Sequence, residues 1–491
     1  MAGTDHANHR AAFFRAFPSI GTAIFVSSID QTITATALPA MAAHFGQVER
    51  ISWVVVAYLI AATISAPIFG KLSDAYGRRQ MLFVAFGLQA AGSLAAGFAP
   101  GFETLLLARV LHGFGGGALL TLASALIGDS VPPRERGRYQ AYLVACFMSS
   151  SAAGPLAGGW LTQHWGWQWV FLAGLPFVGF GVLATLRLPP QGAATGSFRF
   201  DLPGTICFTV FVAALVLMLD RVQRLSSGAL LTAIPIAVVA LLALLLLLRI
   251  ESRTEDPLLP PWLATDPVIW RTNVLAACVA GVMVSMISFM PLYLSVVRGV
   301  PLATVGAMML PTSLAGGIGA LISGQFVART GRNMLLPSLS LGLSTLVLSA
   351  FSIELEAIPL GALPWLLAIS SFGFGCSFPA VQTTVQAAAG AARIGVATAS
   401  VQFTRNLGAA AGTAMLGTVI FGAFALSDPV QSAAFAESIG SGREALGTLT
   451  EGERLAMAAG LTGGFRAMFA AAAVLMGVAT VLAWRVPLRR L

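Results

Sequence analysis

Two charged residues lie deep within apolar stretches of the sequence, where an isolated charge has a high cost in free energy. Asp30 falls about midway along the first apolar run, and it alone among the 20 acidic residues lies near the middle of such a run. Arg109 lies well inside the fourth run. A carboxylate in this setting must be paired or protonated, and a group that changes between these states can carry a proton. The two residues are therefore candidates for proton coupling. A structural ion pair and a packing arginine bonded to the backbone are the alternatives.

A short polar segment, FGKLSDAYGRRQ at 69–80, separates two long apolar runs and concentrates charge in few residues. Gly70 and Gly77 permit tight turns and close helix approach. They bracket Asp74, the only acid in the segment, and two arginines follow. The arginines suffice to fix the segment on one side of a membrane, so the acid needs another explanation. We interpret Asp74 as a residue with a specific partner, with a plain topology signal as the alternative.

The composition indicates a protein that crosses a membrane many times. The chain has 491 residues, of which 57% are hydrophobic and only 10% are charged. A soluble protein carries about a quarter charged residues. The mean hydropathy is +0.83. The N-terminal tail before Phe17 is short and polar, and it does not resemble a cleavable signal peptide because many more apolar runs follow.

Several classes of function lack support in the sequence. The four cysteines all fall within apolar runs, which favours packing over disulfides or metal ligands. No CxxC, HExxH or P-loop motif occurs, so we expect no metal, no cofactor and no ATP-driven pumping by this chain. The net charge of +8 lies mostly on arginines in short inter-helix loops, which argues against nucleic-acid binding. An enzyme should show a cluster of catalytic residues at one membrane face, and the sequence shows none. A channel needs pore-lining rings, which usually come from oligomers.

Apolar runs of spanning length recur along the whole chain. A membrane helix needs about 20 apolar residues, and fourteen runs approach or exceed that length. An even number puts both termini on one side. Most arginines fall in loops of that side, which predicts cytoplasmic termini in a cell membrane, the inner membrane of a bacterium. The predicted helices are 17–40, 52–69, 81–99, 103–127, 139–161, 167–186, 204–219, 229–248, 273–297, 302–327, 334–353, 360–386, 395–425 and 464–484.

The second half of the chain repeats features of the first. GKLSDAYGRRQML at 70–82 is similar to GQFVARTGRNMLL at 324–336, and two further matches follow in order at similar offsets. Duplicated helical bundles around a central site are how many secondary transporters are built. Two predicted helices fall between the copies, and Asp201 begins the first of them. We therefore predict an all-α fold of six, two and six helices, with bundles at 1–200 and 256–491, linking helices at 201–255 and an external loop at 426–463.

Five motifs together resemble the major facilitator superfamily, in particular its fourteen-helix drug:proton antiporters. GKLSDAYGRR matches the loop between helices 2 and 3, and LARVLHGFGGGAL at 107–119 matches the arginine-bearing motif of helix 4. SSSAAGPLAGGWL at 149–161 is similar to the antiporter motif of helix 5. SIDQTITATALPAM at 28–41 and WGWQWVFLAGLP at 165–176 resemble the helix 1 and helix 6 motifs. Thr34-Ala35 and Ala173-Gly174 depart from the usual residues of the last two motifs.

The resemblance implies roles for the loop and for helix 5. In the family's fold two partners are open to Asp74: Arg136, or the N-terminus of helix 13 near Gly395. A contact of this kind would form when the inner side closes. In the antiporters the helix 5 motif resembles a hinge or seal between the bundles, with plain packing as an overlapping alternative. The candidate gating residues are Gly70, Asp74, Gly77, Arg78, Arg79 and Arg136, and the helix 5 residues are Gly154, Pro155, Gly158 and Gly159.

The function implied is proton-driven export by alternating access. The expected partners are protons, membrane lipid and an amphipathic small-molecule substrate, and the family suggests a monomer. Export of one specific metabolite or lipid-like compound by the same machinery is the alternative. With one deep acid, direct competition of proton and substrate is the simplest coupling. Arg405 either belongs to the substrate site or anchors the cytoplasmic end of its helix. Candidate cavity residues are Gln31, Thr34, Tyr58, Gln89, His112, Met148, Gln382 and Arg405.

Overall fold

The structure, a computed structural model, describes residues 2–47, 50–189, 200–223, 227–432, 451–488 and 490. The named elements in this part of the chain are all helices. Its long helices, labelled here in chain order, are α1 Ala2–Phe45, α2 Trp53–Tyr76, α3 Arg78–Gly97, α4 Phe102–Ser130, α5 Pro133–His164, α6 Trp169–Leu186, α7 Leu202–Gln223, α8 Ser227–Glu251, α9 Pro267–Leu292, α10 Leu302–Thr330, α11 Leu335–Glu354, α12 Leu363–Ala389, α13 Ile394–Ser427 and α14 Glu451–Arg485.

Twelve of these helices are long and apolar enough to cross a membrane, within the described residues. The remaining two, α1 and α5, are long but more polar. They pack against each other and against α4 and α10, inside the same assembly. A helix shielded by neighbouring helices on most sides needs less apolar surface than one that faces lipid. The predicted fourteen helices fit this arrangement, with α1 and α5 as the two whose composition alone would not mark them as membrane-spanning.

Helix ends differ from the prediction at both termini of the chain. α1 begins at Ala2 rather than near Phe17, so the short polar tail expected there is helical. α14 begins at Glu451 and so includes the last part of the predicted external loop. Residues 433–450 of that loop lie outside the described ranges. The predicted start of the first linking helix is confirmed, because the Asp201 carboxylate accepts the backbone N–H of Gly204 at 2.9 Å.

The apolar core divides between the two ends of the chain. One cluster of buried side chains comes only from α9–α14 and their connections, which we call the C bundle. Two further clusters come from α1–α6, the N bundle. The α7–α8 pair buries Phe208 and Val212 against Ile64 of α2, and Phe208 also contacts Phe403 of α13 at 5.1 Å between ring centroids. The linking helices thus cover one seam between the bundles.

The repeat is visible in backbone geometry. Gly77 between α2 and α3 has φ of 92°, and Gly331 between α10 and α11, at the matching place in the second copy, has φ of 69°. A positive φ is strained for residues with a side chain and is tolerated by glycine. Both copies therefore use glycine to turn sharply between their second and third helices.

The bundles touch at one end of the molecule. We call this end the arginine-rich face. It carries the α2–α3, α4–α5 and α12–α13 connections and is the side predicted to be cytoplasmic. A Cβ at Gly70 of α2 would lie 2.7 Å from the carbonyl oxygen of Gly395 of α13, and a Cβ at Gly324 of α10 would clash with the carbonyl of Gly137 of α5. Such approaches require glycine, so the structure is closed at the arginine-rich face.

We expect Gly324→Val to open this face. The valine side chain overlaps the Gly137 backbone, and a misfit of that kind costs about 1–3 kcal/mol, which is a shift toward the open form of roughly fivefold to 150-fold. A cysteine at Ser124, on α4 beside the closed contact, should then react correspondingly faster with an impermeant maleimide in inside-out vesicles. Gly306→Val on the same helix is the control, because nothing lies within 4 Å of its Cβ. Equal labelling of both variants would contradict the interpretation.

Candidate functional site

Glycines bring the polar side chains of three helices together near the face opposite the arginine-rich face. A Cβ at Gly113 of α4 would lie 3.0 Å from Cα of Tyr58 on α2, and a Cβ at Gly92 of α3 would lie 2.5 Å from Cα of His112 on α4. Helices that approach this closely place the side chains between them in direct contact. The glycine-rich motif of α4 therefore allows close helix packing, on which the arrangement of the polar side chains depends.

Asp30 and Arg109 form a buried ion pair between α1 and α4. Nη1 of Arg109 lies 2.9 Å and 3.1 Å from the two carboxylate oxygens, and the residues are only 5% and 1% exposed. Nε of Arg109 donates to the carbonyl of Val54 on α2 at 3.0 Å. The guanidinium also lies over the rings of Tyr58 and Phe171, at 4.5 Å and 5.5 Å. A charged pair so far from water depends on each of these partners.

The imidazole of His112 completes the charged cluster. Its Nδ1 lies 3.0 Å from Nη1 of Arg109 and 3.4 Å from Oδ1 of Asp30. Because a guanidinium can only donate, Nδ1 accepts, and the proton of the neutral ring sits on Nε2. Nε2 lies 3.1 Å from Oγ of Ser93 and 2.6 Å from the amide of Gln89, whose oxygen is buried without a partner in the described residues. Turning that amide by 180° lets its oxygen accept the Nε2 proton.

Asp74 contacts the other bundle directly. Its two oxygens accept the backbone N–H groups of Gly395 and Val396, the first turn of α13, at 2.9 Å and 3.0 Å. A carboxylate at a helix N-terminus is stabilised by the unpaired N–H groups and by the helix dipole. Arg78 also donates to Asp74, and its Nε donates to Asp129 of α4 at 3.0 Å. Of the two partners left open by the sequence, the structure therefore shows the N-terminus of helix 13.

Arg136 and Arg79, two further candidate gating residues, contact their own bundle. Arg136 donates to the carbonyl of Val131 at 3.0 Å, so it stabilises the α4–α5 turn and does not pair with Asp74. Arg79 donates to the carbonyl of Leu186 at 3.2 Å, which ties the start of α3 to the end of α6.

The helix 5 motif faces α1 of the same bundle. A Cβ at Gly158 would lie 2.7 Å from the carbonyl oxygen of Ile33, and one at Gly154 would overlap the Thr32 side chain. Gly159 is exposed, with nothing within 4 Å of its Cβ position, and Pro155 lies within the helix. The close contact made by this motif is thus within the N bundle, which matches the packing alternative; a hinge role stays a prediction.

The candidate cavity residues have different environments. Tyr58 and His112 belong to the charged cluster, Thr34 is fully buried, and Gln31 is exposed. Met148 packs against Gly317 of α10, across the bundle interface. Arg405 of α13 stacks over the ring of Phe378 of α12 at 3.9 Å. Gln382 is buried one turn after Phe378 on α12. The partners Ser93, Asp129 and Val396 were not anticipated. Ser93 could have been predicted from the sequence, because it follows Gln89 by four residues and so lies on the same face of α3.

The comparison with protein families decides the identity of the fold. The family model of the Major Facilitator Superfamily matches residues 20–413. The chain belongs to this superfamily. The multidrug transporter protein MdtP of Bacillus subtilis is 29% identical over 401 residues, which cover 81% of this chain and 73% of MdtP. The efflux pump dotC of Dothistroma septosporum is 31% identical, with coverage of 80% and 69%.

Solved structures agree on the fold. The human organic anion transporter MFSD10 superposes with a TM-score of 0.66 over 96% of this chain and 99% of that one, at 14% identity. At this identity the likeness concerns the fold alone. The superfamily consists of transporters for small molecules, so the chain is a multi-pass membrane transporter with multidrug transporters and efflux pumps among its relatives.

We expect Asp74→Asn to weaken closure of the arginine-rich face. The amide removes the charge that the α13 N-terminus and Arg78 stabilise, and hydrogen bonds to charged groups contribute about 1.5–3 kcal/mol, roughly a tenfold or larger change in labelling of the Ser124 cysteine. Asp266→Asn is the control, because Asp266 caps α9 within one bundle in the same manner. An increase in both variants, or in neither, would argue against a contact specific to the closed state.

Proposed function

We propose that the protein exports amphipathic small molecules from the cell in exchange for protons, by alternating access. The observation that carries the proposal is the buried pair of Asp30 and Arg109, a titratable group placed where a fixed charge is costly. The names of its relatives support efflux as the direction of transport. The closed arginine-rich face corresponds to one access state, with the termini in the cytoplasm.

Protonation of Asp30 would release Arg109. The neutral carboxyl attracts the guanidinium far less than the carboxylate does, so the bond from Arg109 to the Val54 carbonyl loses its support. Val54 begins α2, and the same helix carries Gly70 and Asp74 at its other end, in contact with α13. A change at Asp30 can therefore reach the bundle contact through one rigid helix. This continuity supports coupling between the two sites, and the variants below test it.

The geometry favours indirect coupling over direct competition for Asp30. Both carboxylate oxygens are bonded to Arg109 and the side chain is 5% exposed, so a substrate has little access to it. The proton site and the substrate site are then separate, and each acts on the other by favouring one access state.

His112 is positioned to sense the proton on Asp30. The charged and titratable groups that face the imidazole are Asp30 from α1, Tyr58 from α2 and Arg109 from α4; α3 and α6 contribute only uncharged groups. Nδ1 has a single lone pair, now used by Arg109. A protonated Asp30 that donates to Nδ1 would take that lone pair, so Arg109 would be displaced.

We expect Asp30→Asn to abolish substrate-triggered proton release. Inside-out vesicles would be loaded with protons by an imposed gradient, and a pH dye would follow release on addition of lipophilic cations, anions and neutral drugs. The amide keeps the shape of the side chain and cannot bind the transported proton. Glu103→Gln, at an exposed ion pair with Arg50, is the matched control and should release protons as the parent does. Equal release by Asp30→Asn and the parent would remove Asp30 from the mechanism.

We expect His112→Asn to reduce coupling while substrate binding persists. The Asn oxygen can replace Nδ1, but it has two lone pairs and accepts from Arg109 and a protonated Asp30 together, so Arg109 stays in place. A retained bond of about 1.5 kcal/mol predicts roughly a tenfold lower ratio of protons released to substrate moved. The control is His164→Asn, an exposed histidine bonded only to the Trp160 carbonyl. An unchanged ratio in His112→Asn would exclude the displacement step.

A further inference from the structure

Arg405 is a cation near the middle of the membrane with no carboxylate beside it. It lies about 16 Å along α13 from Ile394, the residue that begins the helix at the arginine-rich face, which is about half the thickness of the hydrocarbon core. Across the described ranges no hydrogen bond or ion pair reaches its guanidinium. Its contact is the ring of Phe378 on α12, at 3.9 Å. A charge at this depth is costly and is kept where it has a function.

The face of α13 that carries Arg405 is directed at the other bundle. Ile394 and Thr398 lie on that face, since offsets of seven and eleven residues are close to whole helical turns. Ile394 packs against Gly128 of α4, and Thr398 accepts from Gln386, which also donates to the Ser124 carbonyl of α4 at 3.1 Å. Arg405 therefore faces the space between the bundles, beyond the contacts that close the arginine-rich face.

The balance of charge distinguishes the kinds of substrate. Asp30 is the one described acid deep within a helix, and Arg109 already neutralises it. The other described acids lie at or near helix ends or in connections. The deep part of the molecule thus has an excess of one positive charge, carried by Arg405. An excess of this sign repels a cationic substrate and attracts an anion.

A second donor and an aromatic surface lie nearby. Gln382 follows Phe378 by four residues on α12, so both share one helix face. Gln382 is 6% exposed, and its amide nitrogen has no partner among the residues described. An unpartnered buried N–H group has a cost in stability unless a ligand accepts from it. A guanidinium, an amide N–H and a ring together match an oxyanion attached to an apolar body.

We infer that the central site takes amphipathic organic anions, such as carboxylates or sulfonates, held by Arg405 with Gln382 and stacked against Phe378. The inference rests on the proposed function in that it names the substrate class of the same transporter. The site is distinct from the proton pair. Thr63 of α2 bonds to Asn406, while Val54 of α2 bonds to Arg109, and these two positions are about 13 Å apart along the helix.

The charge of the substrate has a measurable consequence for transport. Export of a monovalent anion in exchange for one proton moves two positive charges inward, whereas exchange of a monovalent cation for one proton moves none. The membrane potential would therefore drive anion export strongly and leave cation exchange unaffected.

The test is equilibrium binding of two matched dyes to the purified full-length protein in nanodiscs of phosphatidylcholine, without a proton gradient. The anionic dye is 8-anilinonaphthalene-1-sulfonate, and the neutral dye is N-phenyl-1-naphthylamine, which has the same rings without the sulfonate. The parent should bind the anion more tightly. Arg405→Gln should weaken binding of the anion about tenfold and leave the neutral dye unchanged, since only a charge-assisted bond is lost. Arg405→Lys should lie between them.

Arg253→Gln, which removes an exposed arginine outside the bundle interface, should match the parent. Binding of the neutral dye shows in each variant that the site is folded. Equal losses for both dyes, or tighter binding of tetraphenylphosphonium than of the sulfonate, would overturn the inference. A further arm adds phosphatidylglycerol to the nanodiscs. Loss of sulfonate binding in that arm would assign Arg405 to a lipid headgroup and overturn the substrate assignment. Because no proton gradient is used, this result is independent of whether the protein is an antiporter.

Discussion

The buried ion pair of Asp30 and Arg109 is the interaction on which the rest of this transporter depends. Two charges removed from water are tolerated only while each satisfies the other, and here the pair also has the Val54 carbonyl, the Tyr58 ring and the His112 imidazole as partners. The close glycine contacts among α2, α3 and α4 bring those partners together around the pair. Adding one proton to the carboxylate alters all of these interactions together, which makes the cluster sensitive to proton binding.

The same helix that supplies Val54 also holds the molecule closed. α2 contacts the charged cluster near its start and α13 near its end, where Asp74 accepts two backbone N–H groups and Gly70 lies against Gly395. The second copy of the repeat keeps the sharp turn at Gly331 but has Ala328 where the first has Asp74. On that side the closure uses contact between Gly137 and Gly324 backbones instead. The closed state thus depends on a carboxylate along one seam, whereas the other seam combines close backbone contact with a hydrogen bond from Arg134 to the carbonyl of Arg329 at 3.1 Å.

The two bundles have also diverged in charge. Deep within the described part of the N bundle, an acid and a base neutralise each other, whereas the charged residue deep within the described part of the C bundle is Arg405, stacked on Phe378. In the proposed mechanism, this asymmetry separates proton binding from substrate binding. A neutral pair can be switched by a proton, and an unpaired cation beside an apolar ring can hold a ligand. Separation of the sites requires communication between them, and α2, which bonds to Arg109 through Val54 and to Asn406 through Thr63, contacts both.

The membrane class, the helical fold and the depth of Asp30 and Arg109 could be predicted from the sequence, because the length of an apolar run and the cost of a charge within it are local properties. The sequence also indicated that Asp74 has a specific partner. The packing of the two bundles determines which partner, because Asp74 and Gly395 are far apart in the chain and meet across the bundle interface. The same holds for the membership of His112 in the charged cluster and for the isolation of Arg405. The apolar runs at 17–40 and 139–161 predicted α1 and α5, and the structure shows why helices more polar than the other twelve are tolerated there: neighbouring helices shield them, which is a property of the packed molecule.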